Sequence, residues 1–180
     1  MDLAIIIIYT LALLLIFFYS ISQLQLLLNY LKAKKRVDAS EKFDLKNPAE
    51  TPFITIQLPL YNELYVVERL LKNIAKIDYP REKLEIQVLD DSTDESIEKI
   101  KTLVDQLQKT GLDIQHITRK DRSGFKAGAL KEGLKIAKGE FIAIFDSDFL
   151  PKKDWLLQTV PYFKNPEIGV VQTRWGHINR

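Results

Sequence analysis

The sequence contains no cysteine, and its charges nearly cancel, leaving a net charge of +2 over 180 residues. The absence of cysteine excludes a disulfide framework, a cysteine-based zinc site and a thiol nucleophile, and it is compatible with the cytosol. The near balance of charge disfavours a nucleic-acid-binding protein with a strongly basic face, so we expect no nucleic-acid partner. The length suffices for one domain and an additional segment.

Charged residues are also absent from Leu3–Leu31, and the first part of this stretch is almost wholly apolar. Roughly 20 helical residues at about 1.5 Å each cross a hydrocarbon core of about 30 Å, so residues 1–31 are predicted to form one transmembrane helix. Residues 32–50 are predicted to form a basic linker, which begins with Lys32–Arg36. The positive-inside rule then places the N-terminus outside and the following domain in the cytoplasm. A cleaved signal peptide is disfavoured because a basic start and a small-residue cleavage site are missing.

Residues 51–180 alternate between strand-like and helix-like segments, which predicts an α/β domain with a mostly parallel, doubly wound sheet. Apolar runs predict five strands, at Phe53–Leu58, Leu84–Leu89, Ile114–Thr118, Phe141–Phe145 and Ile168–Thr173. Periodic segments predict helices capped by Asn62, running from the capping-box pattern Ser92–Glu95 to Gly111, and covering Ala127–Lys138 and Trp155–Phe163. Because the sequence ends at Arg180, soon after a strand-like run, we expect it to be the N-terminal part of a longer protein.

Two acidic pairs follow predicted strands: Asp90 with Asp91, and Asp146 with Asp148. The carboxyl ends of parallel strands share one edge of a sheet, where α/β proteins bind ligands, so the pairs are expected to be neighbours. Asp146 and Asp148 can hold a hard divalent cation that bridges to substrate phosphates. Asp90 and Asp91 can accept hydrogen bonds from a nucleobase or ribose, and Asp91 is preferred. The alternatives are a turn at Asp146 and a helix N-terminus at Asp90 and Asp91.

Two loops are further candidates for the same site. Tyr61 and Glu63 follow the first predicted strand and can hold a base or ribose, unless this segment is only a helix cap. The loop Arg119–Gly128 is basic and contains glycines before a predicted helix, so Lys126 can approach phosphates. A solvated loop is the alternative. The P-loop pattern is absent, which disfavours a nucleoside triphosphatase.

These motifs, in this order, resemble a processive-type family 2 glycosyltransferase with the GT-A fold. The matching pieces are QLPLYNE at Gln57–Glu63, QVLDDSTD at Gln87–Asp94, RSGFKAGAL at Arg122–Leu130, FDSDFLP at Phe145–Pro151 and VQTRWGHIN at Val171–Asn179. The likeness is greatest to the cellulose-synthase-like group, which includes mannan and glucomannan synthases. It covers about Thr51–Arg180, and the combination of motifs is specific although each one alone is weak.

The resemblance implies transfer of a hexose from UDP-glucose or GDP-mannose, with inversion, to a glycan or lipid acceptor in β-glycan synthesis. By position, Asp91 with Asp90 would meet the nucleoside, and Lys126 would lie near the diphosphate. Asp146 and Asp148 would form a DxD motif that binds Mg²⁺ or Mn²⁺, with Asp148 favoured as the direct ligand. A divalent ion and a lysine would stabilise the charge that gathers on the leaving diphosphate.

The sequence also departs from the family pattern. The family's catalytic aspartate lies in a later Glu-Asp type motif, and an acceptor-site QxxRW motif and further membrane helices come later still; none occurs here. Gln172–Trp175 has one residue too few between glutamine and arginine, so we interpret it as the family's earlier VQxRW segment. This segment can line the cleft; the alternative is a packing tryptophan with a nearby surface arginine. We therefore expect the catalytic base beyond Arg180, and an enzyme that is active in full-length form but inactive as this chain alone.

Other functions fit the residues less well. A haloacid-dehalogenase-type phosphatase usually has Thr or Val where this chain has Leu150, and a receiver domain has its acidic pair after the first strand. The remaining alternative is a membrane-tethered nucleotide-binding fragment or scaffold without a catalytic base. No role is assigned to either histidine, His116 or His177.

Overall fold

A computed structural model describes residues 3–34, 47, 50–174 and 176. The chain divides into two units, residues 1–41 and 42–180. Within the described residues the first unit is helix α1, Leu3–Lys34, which confirms the predicted helix and ends three residues after its predicted end. Its stretch Leu3–Lys32, which contains an 18-residue window with a mean hydropathy of 2.6, is long and apolar enough to cross a membrane, judged by length and composition.

The second unit is built on a four-stranded parallel sheet. Its strands are β1 (Ile54–Leu60), β2 (Leu84–Asp90), β3 (Asp113–Thr118) and β4 (Phe141–Ile144), in the order β3-β2-β1-β4. The helices are α2 (Val67–Ile74), α3 (Ser96–Gln108), α4 (Phe125–Leu134) and α5 (Trp155–Thr159), with 3₁₀ turns at Arg81–Lys83 and Val160–Lys164. The predicted alternation of strands and helices, and the parallel sheet, are confirmed.

One face of the sheet carries the apolar core. Successive side chains of a strand point to opposite faces, and Ile56 and Leu58 of β1 are fully buried with Ile86 and Val88 of β2. The core cluster also contains the buried apolar faces of α2 and α3. Burying one such aliphatic side chain contributes about 1.5–3 kcal/mol, so this face provides most of the stability of the sheet.

The opposite face of the sheet is polar but also buried. Thr55 Oγ1 donates to Glu85 Oε2 (2.7 Å), and the backbone N–H of Lys138 donates to the same oxygen (2.9 Å). Gln57 Nε2 donates to Gln87 Oε1 (2.9 Å) on the neighbouring strand. These bonds offset the cost of burying polar groups, and they fix β1 against β2 in register.

Strand β1 extends two residues beyond the predicted end, through Pro59 to Leu60. Proline is unusual inside a sheet because it has no N–H to donate. Here β4 pairs with β1 only from Ile54 to Gln57, so no paired residue of β4 lies opposite Pro59. The strand therefore carries Leu60 and the following loop beyond the end of β4.

Three predicted features are wrong. The segment Ile168–Thr173 forms no strand, and Val170 is 82% exposed; a strand needs a partner, and within the described residues none pairs with this run. Asn62 does not cap a helix, since α2 begins only at Val67. The capping box at Ser92–Glu95 does not form either, because α3 begins at Ser96 without a side-chain cap. Both polar segments instead bond to each other across the sheet edge.

The remaining helix predictions are right in type but differ in their bounds. Helix α4 ends at Leu134, four residues before the predicted end, and Gly139 instead approaches the backbone of β1 closely. The predicted helix Trp155–Phe163 is α5 followed by a 3₁₀ turn that contains Pro161. Proline lacks the N–H that would continue an α-helix, which accounts for the change of helix type.

Candidate functional site

The loops after β1, β2 and β4 meet at the carboxyl edge of the sheet and enclose a cavity of about 450 Å³. It is lined by Pro59, Leu60, Tyr61, Glu63, Val66, Asp91, Arg122, Lys126, Ala129, Asp146, Ser147 and Asp148. The structure thus brings together every predicted site residue except Asp90. Carboxyl edges of parallel sheets are where this class of fold binds ligands.

The loop after β4 supplies two carboxylates and a link across the cavity. Asp146 accepts a hydrogen bond from Lys126 Nζ, and Asp148 is exposed. Between them, Ser147 Oγ donates to Glu63 Oε1 (2.8 Å). This bond joins the loop after β4 to the loop after β1, so the two sides of the cavity are positioned together.

Asp91 is held by Arg119 in a bidentate ion pair. Arg119 Nε and Nη2 donate to the two oxygens of Asp91, each at 2.6 Å. The same guanidinium donates to the carbonyls of Ser123 and Phe125, both at 2.7 Å. Paired fork geometry of this kind is among the stronger hydrogen bonds in proteins. Arg119 therefore fixes both the Asp91 carboxylate and the loop that precedes α4.

Asp90 is buried and is not among the residues that line the cavity. Its side chain is fully buried; Oδ2 bonds to His116 Nε2 (2.8 Å), and Oδ1 accepts the N–H of Ser92 (2.9 Å). Burial by itself raises the pKa of Asp90, but the hydrogen bonds from His116 and Ser92 outweigh it and hold that pKa below its ordinary value. Asp90 thus supports the loop after β2, and a direct contact between its carboxylate and a nucleoside would require that support to open.

Asn62 connects the loop after β1 to the loop after β2 by hydrogen bonds. Its N–H donates to Ser92 Oγ (2.9 Å), and its Oδ1 accepts the N–H of Thr93 (2.9 Å). Asn62 adopts a φ of 55°, which asparagine tolerates better than most residues. A network therefore runs from His116 through Asp90 and Ser92 to Asn62, next to Tyr61.

The backbone at the start of α4 is strained where it meets the cavity. Gly124 has a φ of 73° and Phe125 a φ of 48°, a left-handed conformation that is rare for a bulky residue. Gly128 lies so close to the carbonyl of Ser123 that a Cβ atom would collide with it. Strain of this kind concentrates at binding sites, where the surrounding contacts enforce it.

No specific role was assigned from the sequence to three residues that shape this region, Arg119, Arg122 and His116. Arg122 stacks on Tyr61, with 3.2 Å from its guanidinium carbon to the ring centroid. In contrast, Gln172 and Arg174 are exposed and do not line the cavity, while Trp175 lies outside the described residues. The basic composition of the loop indicated that its arginines could bind a ligand, but it did not distinguish the contacts of Arg119 from those of Arg122.

Asp146 and Asp148 can hold a divalent metal ion only if other ligands complete its coordination. Across residues 3–34, 47, 50–174 and 176, no three His, Cys, Asp or Glu side chains form a group that could hold one. Magnesium-type sites commonly use one or two carboxylates and take their other ligands from water and substrate phosphates. Asp146 and Asp148 fit a site of that kind, in which the substrate supplies part of the coordination, and they do not form an all-protein cage.

Comparison with known proteins gives consistent relatives. "Glucomannan 4-beta-mannosyltransferase 7" of Arabidopsis thaliana is 38% identical over 177 residues, which are 91% of this chain and 32% of that protein. "Glucomannan 4-beta-mannosyltransferase 1" of Cyamopsis tetragonoloba is 38% identical over 152 residues, 81% of this chain and 27% of that protein. The chain therefore spans about a third or less of the length of these relatives.

A solved structure, the mannosyltransferase PcManGT from Pyrobaculum calidifontis in complex with GDP-Man and Mn²⁺, matches with 34% identity and a TM-score of 0.55. The match covers 72% of this chain and 39% of that one, and the predicted GT-A type of fold is confirmed. The family model described as "Glycosyl transferase family 2" matches residues 55–180, which include the sheet except its first residue, Ile54, and the whole cavity lining. The chain belongs to glycosyl transferase family 2.

Proposed function

We propose that this chain is the sugar-donor-binding part of a membrane-anchored, inverting glycosyltransferase. Its donor is a nucleotide diphosphate hexose, and its product is a β-linked glycan or a glycosylated lipid. The observation that carries the proposal is the single cavity that gathers Tyr61, Glu63, Asp91, Lys126 and both carboxylates of the loop after β4. Each of these side chains has a chemical counterpart in a nucleotide sugar.

The nucleoside would lie between the loops after β1 and β2. Asp91 faces the cavity with a carboxylate that Arg119 holds in place, and a carboxylate has further acceptor positions for a base N–H or a ribose hydroxyl. Tyr61 offers an aromatic face for a planar base, and Glu63 a second acceptor. GDP-mannose is the favoured donor because the relatives are named for mannosyl transfer and the solved structure contains GDP-Man; UDP-glucose is the competing donor.

The diphosphate would lie toward Lys126 and the loop after β4. Asp146 and Asp148 would hold Mg²⁺ or Mn²⁺, which supplies positive charge where the leaving diphosphate becomes more negative. Lys126 adds a second positive charge, and its pairing with Asp146 keeps it at that place before a substrate arrives. The Mn²⁺ in the related mannosyltransferase supports this assignment.

Helix α1 would anchor the domain, with its N-terminus outside and the site in the cytoplasm. The support is its length, its composition and the basic residues that follow it. By the family resemblance the catalytic base lies outside this sequence, so we expect the chain to bind donor without transferring sugar. Sugar transfer by the purified chain would show that a base is present here after all.

Calorimetric titration of the chain in detergent micelles tests the donor site. GDP and UDP are each titrated with and without Mn²⁺, into the wild type, Asp148→Ala and the control Asp105→Ala, which removes an exposed carboxylate from α3 outside the cavity. We expect one nucleotide to bind in a Mn²⁺-dependent manner, with that dependence lost only in Asp148→Ala. A folded wild type that binds neither nucleotide would contradict the proposed site. Metal-dependent nucleotide binding without any activity in the full-length protein would instead favour a scaffold.

A further inference from the structure

Arg122 is held in the cavity by stacking and not by directional bonds. Its guanidinium carbon lies 3.2 Å from the centroid of the Tyr61 ring and 5.2 Å from that of Phe125. Its Nε is buried without a hydrogen-bond partner among the described residues, and the ion pair from this atom to Asp91 Oδ2 is 3.8 Å long. A buried donor without a partner is unfavourable, so this position leaves bonding capacity unused.

Arg119, three residues earlier in the same loop, is held by hydrogen bonds and not by stacking. Its guanidinium makes four hydrogen bonds of 2.6–2.7 Å, two to Asp91 and two to backbone carbonyls. Moving Arg119 would break all four bonds, whereas moving Arg122 breaks none within the described part of the chain. Of the two arginines, Arg122 is the one whose side chain can change position without losing a hydrogen bond.

The cavity lining carries more acidic than basic side chains, so binding an anionic ligand there requires a cation that is free to pair with it. Four acidic side chains line the cavity, at Glu63, Asp91, Asp146 and Asp148, against two basic ones, Arg122 and Lys126. Lys126 is already paired with Asp146. A nucleoside diphosphate that enters this space adds further negative charge, and guanidinium groups bind phosphate oxygens in bidentate fashion.

Stacking of a nucleobase on Tyr61 would also require Arg122 to move. Aromatic faces are the usual platforms for nucleobases, and Tyr61 as a whole residue is 41% exposed. At 3.2 Å the Arg122 guanidinium occupies the contact distance above that ring. A base cannot stack on this face of Tyr61 until Arg122 leaves it.

We propose that Arg122 is a diphosphate-binding residue that covers the Tyr61 ring in the nucleotide-free protein. When a nucleotide enters, the base takes the place of the guanidinium on Tyr61, and Arg122 turns to the phosphates, where its unpaired donors find acceptors. This inference rests on the proposed nucleotide-sugar site and adds to it a residue and an exchange of partners. Lys126 and Arg122 then bind the diphosphate together.

The test compares a nucleoside diphosphate with its nucleoside. The full chain in detergent micelles is titrated in Mg²⁺, which is diamagnetic and leaves NMR signals sharp. The ligands are GDP or UDP, whichever the wild type binds, and guanosine or uridine, followed by ligand-observed NMR. Wild type is compared with Arg122→Gln, Arg122→Lys and the control Lys120→Gln, an exposed cation of the same loop. We expect Arg122→Gln to weaken diphosphate binding about ten- to a hundredfold while nucleoside binding is unchanged or stronger. Arg122→Lys should recover part of the loss, and Lys120→Gln should match the wild type.

A second measurement follows the guanidinium itself. In the free protein the Arg122 Nε–H proton should resonate upfield because of the Tyr61 ring, and it should shift downfield when the nucleotide is added. Equal weakening of nucleoside and diphosphate by Arg122→Gln would overturn the exchange, because Arg122 would then contact the base. Unchanged diphosphate binding by Arg122→Gln would overturn the role of Arg122 and leave the nucleotide site intact. A wild type that binds neither GDP nor UDP would overturn both.

Discussion

Replacing His116 with phenylalanine tests the buried support of the loop after β2. His116 Nε2 bonds at 2.8 Å to Asp90 Oδ2, and the side chains are 14% and 0% exposed, respectively. Phenylalanine keeps the approximate ring size but offers no donor, so the Asp90 carboxylate keeps only its hydrogen bonds from Ser92. The substitution therefore removes the hydrogen bond from His116 and leaves a buried charge with fewer partners.

The magnitude follows from the burial of the pair. Removing one partner of a fully buried charge pair costs about 3–5 kcal/mol, and leaving a neutral group unsatisfied about 1–3 kcal/mol. The remaining hydrogen bonds from Ser92 and the partial exposure of His116 reduce the cost, so we expect a loss of about 2–3 kcal/mol in the free energy of unfolding. For a domain of ordinary stability, about 5–15 kcal/mol, this is a large fraction.

The pH dependence of unfolding gives a second, independent test of the His116–Asp90 interaction. Because the pKa of Asp90 is lower in the folded protein than its ordinary value of 3.8, its contribution is present above that value and is lost as the pH falls through the lower folded pKa. Without His116, burial raises the pKa of Asp90 with less to oppose it. The midpoint of acid unfolding should therefore move to higher pH in His116→Phe.

Urea unfolding of the chain in detergent micelles, followed by near-ultraviolet circular dichroism, measures both effects. With a slope of about 1–3 kcal/mol per molar urea, the expected loss moves the midpoint by roughly 1 M. His116→Gln is the matched control, since its amide N–H can still donate to Asp90, and it should recover most of the stability. A His116→Phe protein within about 0.5 kcal/mol of the wild type, with an unchanged acid midpoint, would refute the reasoning.

Two further predictions concern the loop before α4 and the first turn of that helix. Arg119→Lys removes the bidentate bond to Asp91, so nucleotide binding should weaken about tenfold in a calorimetric titration; equal binding would mean that the position of Asp91 does not matter. Gly128→Ala places a methyl group against the carbonyl of Ser123, so the free energy of unfolding should fall by about 1–3 kcal/mol. Gly169→Ala, where nothing lies within 4 Å, is its control and should unfold like the wild type.

The sheet was predictable because apolar residues recur at alternate positions of its longer strands, with turn residues between the strands. β2 is buried at all seven positions although three of them are polar, and its apolar residues alternate regularly enough to stand out. Ile168–Thr173 has a similar composition but forms no strand, since pairing depends on a partner and not on the segment itself. Asn62 and the segment Ser92–Glu95 carry local helix-start signals, and tertiary bonds between the two loops override them.

The site was predictable wherever an acidic residue follows a strand directly. Asp91, Asp146 and Asp148 follow strands, and parallel strands place such residues at one edge, so their shared cavity could be inferred without coordinates. Asp90 shares this position, but the last residue of β2 points to the core face of the sheet while Asp91 turns into the cavity. Alternation along a strand explains this difference, although the residue at which the alternation ends cannot be read from the sequence.

The roles of the basic residues between Arg119 and Lys126 could not be predicted from the sequence. Arg119, Lys120, Arg122 and Lys126 are cations of one short segment, and composition alone makes them equivalent candidates for phosphate binding. The structure separates them: Arg119 clamps Asp91, Arg122 lies on Tyr61, Lys126 pairs with Asp146 and Lys120 is exposed. Each role is set by a partner that comes from a different strand end, 20 or more residues away in the chain. The strand order β3-β2-β1-β4, more than any local signal, therefore determines which cation holds the site together and which remains available for a ligand.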